Sequence, residues 1–296
     1  MSLTRRRFTQ ILASTLFLHH LPSFAQSVKF WASLTLPEAQ HITRIVSAGA
    51  PADLLLLAVA PEKMVGFSSF DFARQALIPL PEHIRQFPRL GRLAGRASTL
   101  SLEGLMALHP DLVVDCGNTD ETWISQARQV SDQTQIPWLL LNGKLEQSAE
   151  QLTTLGKTLG EEHRTAEQAN LASRFVGEAQ AFATSPAANL SFYAARGPRG
   201  LETGLQGSLH TEAAELLGLH NVAQIADRHG LTQVSMENLL RWQPDIILVQ
   251  EAVTADFIRR DPLWQGVKAV AEQRILFLSG LPFGWLDAPP GINRLL

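Results

Sequence analysis

Arginines are the residues of this chain whose type and spacing best suit chemistry with a ligand. Arg89, Arg92 and Arg96 fall in one short stretch, and Arg196 and Arg199 in another. A guanidinium is planar, forked and always charged, so it grips paired oxygens with parallel hydrogen bonds. Brought together, these side chains would hold an anion; kept apart, they would be solvated surface groups. Other constellations are weaker. Ser208, His210 and Glu212 are close enough in sequence to raise a hydrolase, yet no G-x-S-x-G turn precedes them, and closeness along the chain is not triad geometry. Gly197, Gly200, Gly204 and Gly207 do not have the G-x-G-x-x-G spacing of a dinucleotide loop. The histidines show neither H-x-x-x-H nor H-E-x-x-H spacing, so no preformed metal site is expected, although a bound chelate could borrow an imidazole such as that of His210. An exported enzyme is the remote alternative, and no resident cofactor is implied.

Apolar residues make up 45% of the chain and charged ones 18%, enough for a sizeable core. A net charge of -3 gives no footprint for nucleic acid. The first residues read as an export signal. "TRRRFTQ" is followed by the apolar run Ile11–Leu18 and by Ser23-Phe24-Ala25, a small-x-small cleavage pattern, so residues 1–25 are expected to be removed. Arg5-Arg6 followed by Phe8 resembles a twin-arginine signal, with Thr9-Gln10 in place of the usual Leu-Lys; the twin-arginine and general routes both stay open. The apolar run is shorter than the ~20 residues that span a bilayer. The one cysteine, Cys116, is not at the cleavage site, where Gln26 stands, so neither a lipid anchor nor a disulfide is expected. The mature chain should be free in the periplasm, with Cys116 as a small buried hydrophobe.

An internal repeat reveals the elements that must position these groups. "SLEGLMALHPDLVV", Ser101–Val114, returns without a gap as "SMENLLRWQPDIIL", Ser235–Leu248. Leu102, Leu105 and Met106, or Met236, Leu239 and Leu240, have the i, i+3, i+4 spacing of a short helix with one apolar face. Pro110 or Pro244 ends that helix by holding the preceding residue out of the α region. A β-branched apolar run follows, as in a fully buried strand. Two copies so far apart imply two similar lobes rather than a solenoid.

"RIVSAG" reads as a strand, "APADLLLLAVAP" as a helix, and "MVGFS" and "PWLLLN" as further strands, an alternation that means a parallel sheet. From Leu145 to Ala183 the chain lacks proline, and Leu152, Leu155 and Leu159 share a face, with Gly156, Gly160 and Gly177 as weak points. One helix of roughly 38 residues, about 57 Å long, fits this stretch, with a break near Gly160 as the variant. "LSFYAA", the helix "TEAAELLGL", the second repeat copy and "RILFLSG" then build the second lobe. The expected organisation is a signal peptide at 1–25, an N-terminal α/β lobe at 26–144, a spine helix at 145–183 and a C-terminal α/β lobe at 184–296.

Two repeat-related α/β lobes, each with an S-x-E-x-L-x-x-x-x-P-D unit, joined by one long helix behind an export signal, resemble the periplasmic binding proteins that deliver ferric siderophores, haem or vitamin B12 to ABC importers. The resemblance covers the whole mature chain. "FWASLTL" is similar to the family's preceding edge strand. Family chains continue past "INRLL" with further helix, so the C-terminal lobe is expected to be short here.

The resemblance implies two Rossmann-like lobes with parallel sheets, joined by a single long spine helix, and no enzyme. It implies a ligand held between the lobes in loops at the carboxyl ends of the strands, with the spine limiting hinge motion. Arg92, Arg96, Arg196 and Arg199 fall in those loops, as do Phe283 and Trp285, which would pack on a chelator's rings or simply cap the core. A ferric siderophore or related metal chelate is the expected ligand, and a small oxyanion such as molybdate or tungstate the alternative. The resemblance carries over Glu103 and Glu237 as the pair that contacts the ABC transporter permease. A monomer with no nucleic-acid partner is expected.

Overall fold

The computed structural model describes residues 29–73, 80–94, 98–226 and 228–279. The expected signal peptide lies outside these residues.

In the first lobe, β1 (Phe30–Ser33), β2 (Ile45–Ser47), β3 (Leu112–Gly117) and β4 (Trp138–Asn142) form a sheet in the order β1-β4-β3-β2. The last three are parallel, while β1 pairs with β4 antiparallel as an edge strand. α1 (Ala50–Val59) opens with Pro51 in its first turn and is buried almost all round, as its run of leucines requires. α2 (Glu82–Arg85) and α3 (Leu102–Ala107) follow, and α4 (Glu121–Thr134) is capped by Asp120, whose carboxylate accepts the N–H groups of Thr122 and Trp123. "MVGFS" is not a continuous strand. Met64 bridges to Ile45, but Phe67 turns away to bridge with Arg89, because a β-carbon on Gly66 would lie 2.6 Å from the Pro88 carbonyl and only glycine admits that crossing.

The second lobe holds β5 (Ser191–Ala195), β7 (His220–Asn221), β9 (Ile246–Val249) and β10 (Ile275–Phe277) in the parallel order β10-β9-β5-β7, with β6 (Glu202–Gly204) and β8 (Leu231–Gln233) as a separate antiparallel ribbon. Its helices are α7 (Glu212–Leu216), α8 (Met236–Trp242), α9 (Ala252–Arg260) and α10 (Lys268–Ala271). The repeat units α3-β3 and α8-β9 sit equivalently, each strand between a parallel neighbour on either side.

Most repeated residues have a structural duty. Ser101 and Ser235 cap their helices, accepting the N–H groups of Gly104 and Asn238. Leu105 and Leu239 are fully buried. His109 and Gln243, each just before the proline, take the left-handed conformation at φ 46° and so end the helix. Asp111 and Asp245 then act as clamps. Asp111 accepts the N–H groups of Thr43 (2.8 Å) and Arg44 (2.9 Å), while its own N–H donates to the Arg44 carbonyl. Asp245 accepts the N–H (2.9 Å) and hydroxyl (2.7 Å) of Ser191 and donates its N–H to the Ser191 carbonyl. Each aspartate thereby pins the start of the neighbouring strand, β2 or β5.

The stretch read as one spine helix, with a break near Gly160 as the variant, is broken at Gly160 into two helices, α5 (Ser148–Leu159) and α6 (Glu162–Phe182). Gly160 adopts φ 73°, and the Glu161 N–H reaches back to the Gly156 carbonyl at 2.7 Å, the 6→1 bond of a Schellman end. α6 packs back along α5 and passes residues 145–147 at its foot. Gly156 makes this possible, since a β-carbon there would stand 2.1 Å from the Thr165 hydroxyl. The 57 Å rod is therefore replaced by a hairpin whose second arm joins the lobes, with a length of about 31 Å at 1.5 Å per residue. Early in α6, Arg164 and Gln168 donate to the carbonyls of Val59 and Ala58 at the end of α1. At its far end, Ala183 lies against Gly218 of the second lobe.

Candidate ligand-binding cleft

Parallel strands direct their carboxyl ends, and the loops that follow, to one edge of the sheet. β2 runs into Ala48, whose carbonyl accepts the N–H groups of Leu93 (3.0 Å) and Ala94 (3.1 Å), so the loop carrying Arg92 is laid over that edge. Arg92 closes a turn: its N–H donates to the Thr99 hydroxyl at 2.9 Å and its carbonyl accepts the Thr99 N–H. Its side chain is half-buried. In the second lobe Arg196 directly follows β5 and pairs with Glu202 through both backbone groups, and Arg199 sits exposed on the turn between Gly197 and Gly200. Arg92 thus lies in a loop over the end of β2 and Arg196 at the end of β5, while Arg89 is exposed on the segment that bridges to Phe67. Arg96, Phe283 and Trp285 lie outside the described residues.

Several polar groups at these strand ends were not singled out from sequence. Asp53, buried in α1, accepts the Ser68 N–H (2.8 Å), the Ser68 hydroxyl (2.8 Å) and the Ser69 N–H (3.0 Å). Burial raises its carboxyl pKa in spite of these bonds. Phe70 stacks on Phe72 at 5.1 Å and 11°, so the loop after Phe67 is fixed both by this carboxylate and by aromatic packing. Asp115, next to last in β3 but one, is buried with one bond from the Cys116 N–H (2.8 Å), and burial pushes its carboxyl up to about 6. Burial drives the Cys116 thiol far above its ordinary range, helped by the charges of Asp115 and Glu212, which leaves it unreactive.

Glu212, from the second lobe, accepts the backbone N–H of Leu145 at 2.9 Å. Burial pushes its carboxyl up to about 7 against that bond, with Glu146 and Glu215 adding to the rise and Lys144 opposing it. Leu145 is held for this contact by a dense network. The Lys144 N–H donates to Asn142, Asn142 donates to Thr119, and Gln151 donates to the carbonyls of Asn142 and Lys144. Gly143 crosses Gly117 so closely that a β-carbon would lie 2.9 Å from the Gly117 Cα.

Ser208, His210 and Glu212 do not form a triad: the Ser208 hydroxyl accepts the backbone N–H of His210, and Glu212 is turned to Leu145. Among the described residues no group of three His, Cys, Asp or Glu side chains could hold a metal ion, and no helix is long and apolar enough to cross a membrane. Two open depressions of about 480 and 540 Å³ lie on the second lobe alone, lined by Arg259, Gln273 and Ile275 and by Val253, Phe257 and Arg260. Neither involves the strand-end residues above.

The family described as periplasmic binding protein matches residues 45–280. No protein of curated function matches the sequence significantly. An ABC transporter solute binding protein from Sulfurospirillum deleyianum is similar at 26% identity and a TM-score of 0.77, over 88% of this chain and 82% of its own. The Haemophilus influenzae protein MolA, solved with molybdate, is 20% identical with a TM-score of 0.65, over 87% of this chain and 83% of its own. The vitamin B12 binding protein BtuF of Vibrio cholerae is 20% identical with a TM-score of 0.65, over 85% of this chain and 92% of its own. At that identity these last two share the fold alone.

Proposed function

The chain belongs to the periplasmic binding protein family, and from that membership we propose that it captures a ferric siderophore or related metal chelate between its lobes and hands it to the permease of an ABC importer. Members of this family are substrate-binding components, not enzymes.

The observation that favours a chelate over a small oxyanion is the placement of carboxyl groups at the strand ends. A compact dianion such as molybdate must replace its water shell with N–H donors and cations at close range. Here the N–H groups of Ser68 and Ser69 already serve Asp53, and Asp115 and Glu212 add acidic groups at the same edge. An extended chelate spreads its charge over many oxygens and can meet Arg92, Arg196 and Arg199 in the loops while keeping clear of these carboxyls. Arg96, Phe283 and Trp285 complete the proposed ligand set. Capture takes place in the periplasm, by a monomer, and Glu103 and Glu237 present one carboxylate per lobe to the permease.

Native mass spectrometry of protein purified from its own cells tests this reading. A carried mass matching an iron chelate supports it, and the mass of a bare oxyanion replaces it with the small-anion alternative.

A further inference from the structure

The repeat leaves a remainder after its caps, core leucines and clamps are accounted for. Glu103 and Glu237 are exposed, and among the described residues neither has an ion-pair or hydrogen-bond partner. Each is second in its helix, one short of the position from which a capping-box acid reaches back to the cap. Three residues on, and so on the same side of the helix, stand Met106 and Leu240. Both are large and apolar, yet they are 43% and 39% exposed. One exposed apolar side chain is ordinary. Leu240 touches Gly266 with one methyl group, but the exposed remainder recurs on the corresponding helices of both lobes, each time beside a glutamate unpaired among the described residues, and packing within either lobe does not require that match.

We propose that Met106 and Leu240 are apolar anchors, one per lobe, of the surface that meets the permease. The partner that fits is a two-fold symmetric membrane dimer, each half offering a basic side chain to a glutamate and an apolar hollow beside it. This rests on the docking role proposed above for Glu103 and Glu237. Exposed ion pairs are screened by salt and contribute little to affinity, so the two glutamates act by setting the orientation and speed of the encounter, and uptake depends on that productive orientation. Burial of the neighbouring apolar side chains retains the complex, and its loss shows in the dissociation rate.

The test places benzoylphenylalanine separately at positions 103, 106, 237 and 240 of the full chain, in the cells that make it, with Val253 as a control that is 73% exposed on α9. Irradiation is expected to link positions 106 and 240 to one and the same polytopic membrane polypeptide, and position 253 to nothing of the kind. Links from 103 and 237 without links from 106 and 240 overturn the anchors and leave the docking role standing. No links from any of the four overturn both. With the captured permease in nanodiscs, Met106→Ser with Leu240→Ser is expected to raise the dissociation rate about tenfold or more at an unchanged association rate. An unchanged dissociation rate overturns the proposal.

Discussion

The Glu212 carboxylate accepts the backbone N–H of Leu145 at 2.9 Å, and so joins the second lobe to the foot of the connecting hairpin. A carboxyl group at this junction makes stability depend on pH near neutrality. Its folded pKa of about 7 lies above the ordinary 4.5, so the stabilisation is whole below about pH 4.5 and is lost as pH rises through 7. Glu212→Gln keeps an acceptor for Leu145 and never charges. Chemical denaturation should find the variant more stable than the parent by about 2–4 kcal/mol at pH 8 and nearly equal to it at pH 4.5. Parallel stability curves at the two pH values would show an ordinary carboxyl there.

The Asp111 and Asp245 clamps act on the acid side. At Asp111 partial burial is outweighed by the Thr43 and Arg44 N–H bonds; at Asp245 the Lys268 ammonium, 2.6 Å away, and Ser191 act together, and both carboxyls are held below their usual range. Their stabilisation is present above about pH 4 and is lost as pH falls. Asp111→Ala and Asp245→Ala should each cost about 1–3 kcal/mol at pH 7, additively because the lobes are separate. Urea titrations of the two single variants and the double variant check both the size and the additivity.

Gly156→Ala should cost about 1–3 kcal/mol, since the added β-carbon drives into Thr165 across the hairpin. Thr165→Ala in the same chain should restore part of it. A thermal melt unchanged by Gly156→Ala would mean that α5 and α6 are not held together at this point.

Ligand affinity should fall by about 2–4 kcal/mol when Arg196 and Arg199 are changed together to alanine, provided each makes a charge-assisted bond. Tryptophan-fluorescence titration with a ferric siderophore that the parent binds measures this. Unchanged affinity would remove both residues from the site.

Glu103→Gln with Glu237→Gln should leave the fold and siderophore affinity intact and abolish uptake. Both carboxylates are exposed, so circular dichroism and binding serve as controls against a structural effect. Normal uptake by the double variant would end the docking role, and lost siderophore binding would place the repeat in the cleft.

What could be read from sequence was whatever repeats or alternates. The two α3-β3-type units, the leucine-rich α1 and the buried strand "PWLLLN" follow from spacing and proline placement alone. The hairpin did not, because an unbroken helical composition runs through it and only Gly160 marks the reversal; the deciding contact, Gly156 against Thr165, joins residues with no pattern between them. The strand-end carboxyls were also missed. Asp115 interrupts an apolar run, a visible signal, but the burial that shifts it comes from the tertiary fold. Glu212 stands out in the sequence only for its closeness to Ser208 and His210, and nothing in its neighbourhood points to a partner as distant as Leu145.

The Pro-Asp clamps also answer a question of information. Strands such as Leu112–Val114 and Ile246–Val249 are apolar on both faces, so they lack the alternation that elsewhere tells a strand which way to turn, and sliding one of them by a single residue would still bury greasy side chains. A slip would, however, tear Asp111 from Thr43 and Arg44, and Asp245 from Ser191, at the first rung of each ladder. One carboxylate per lobe thus acts as an indexing pin, reading out a unique alignment that the hydrophobic code of the strands leaves degenerate.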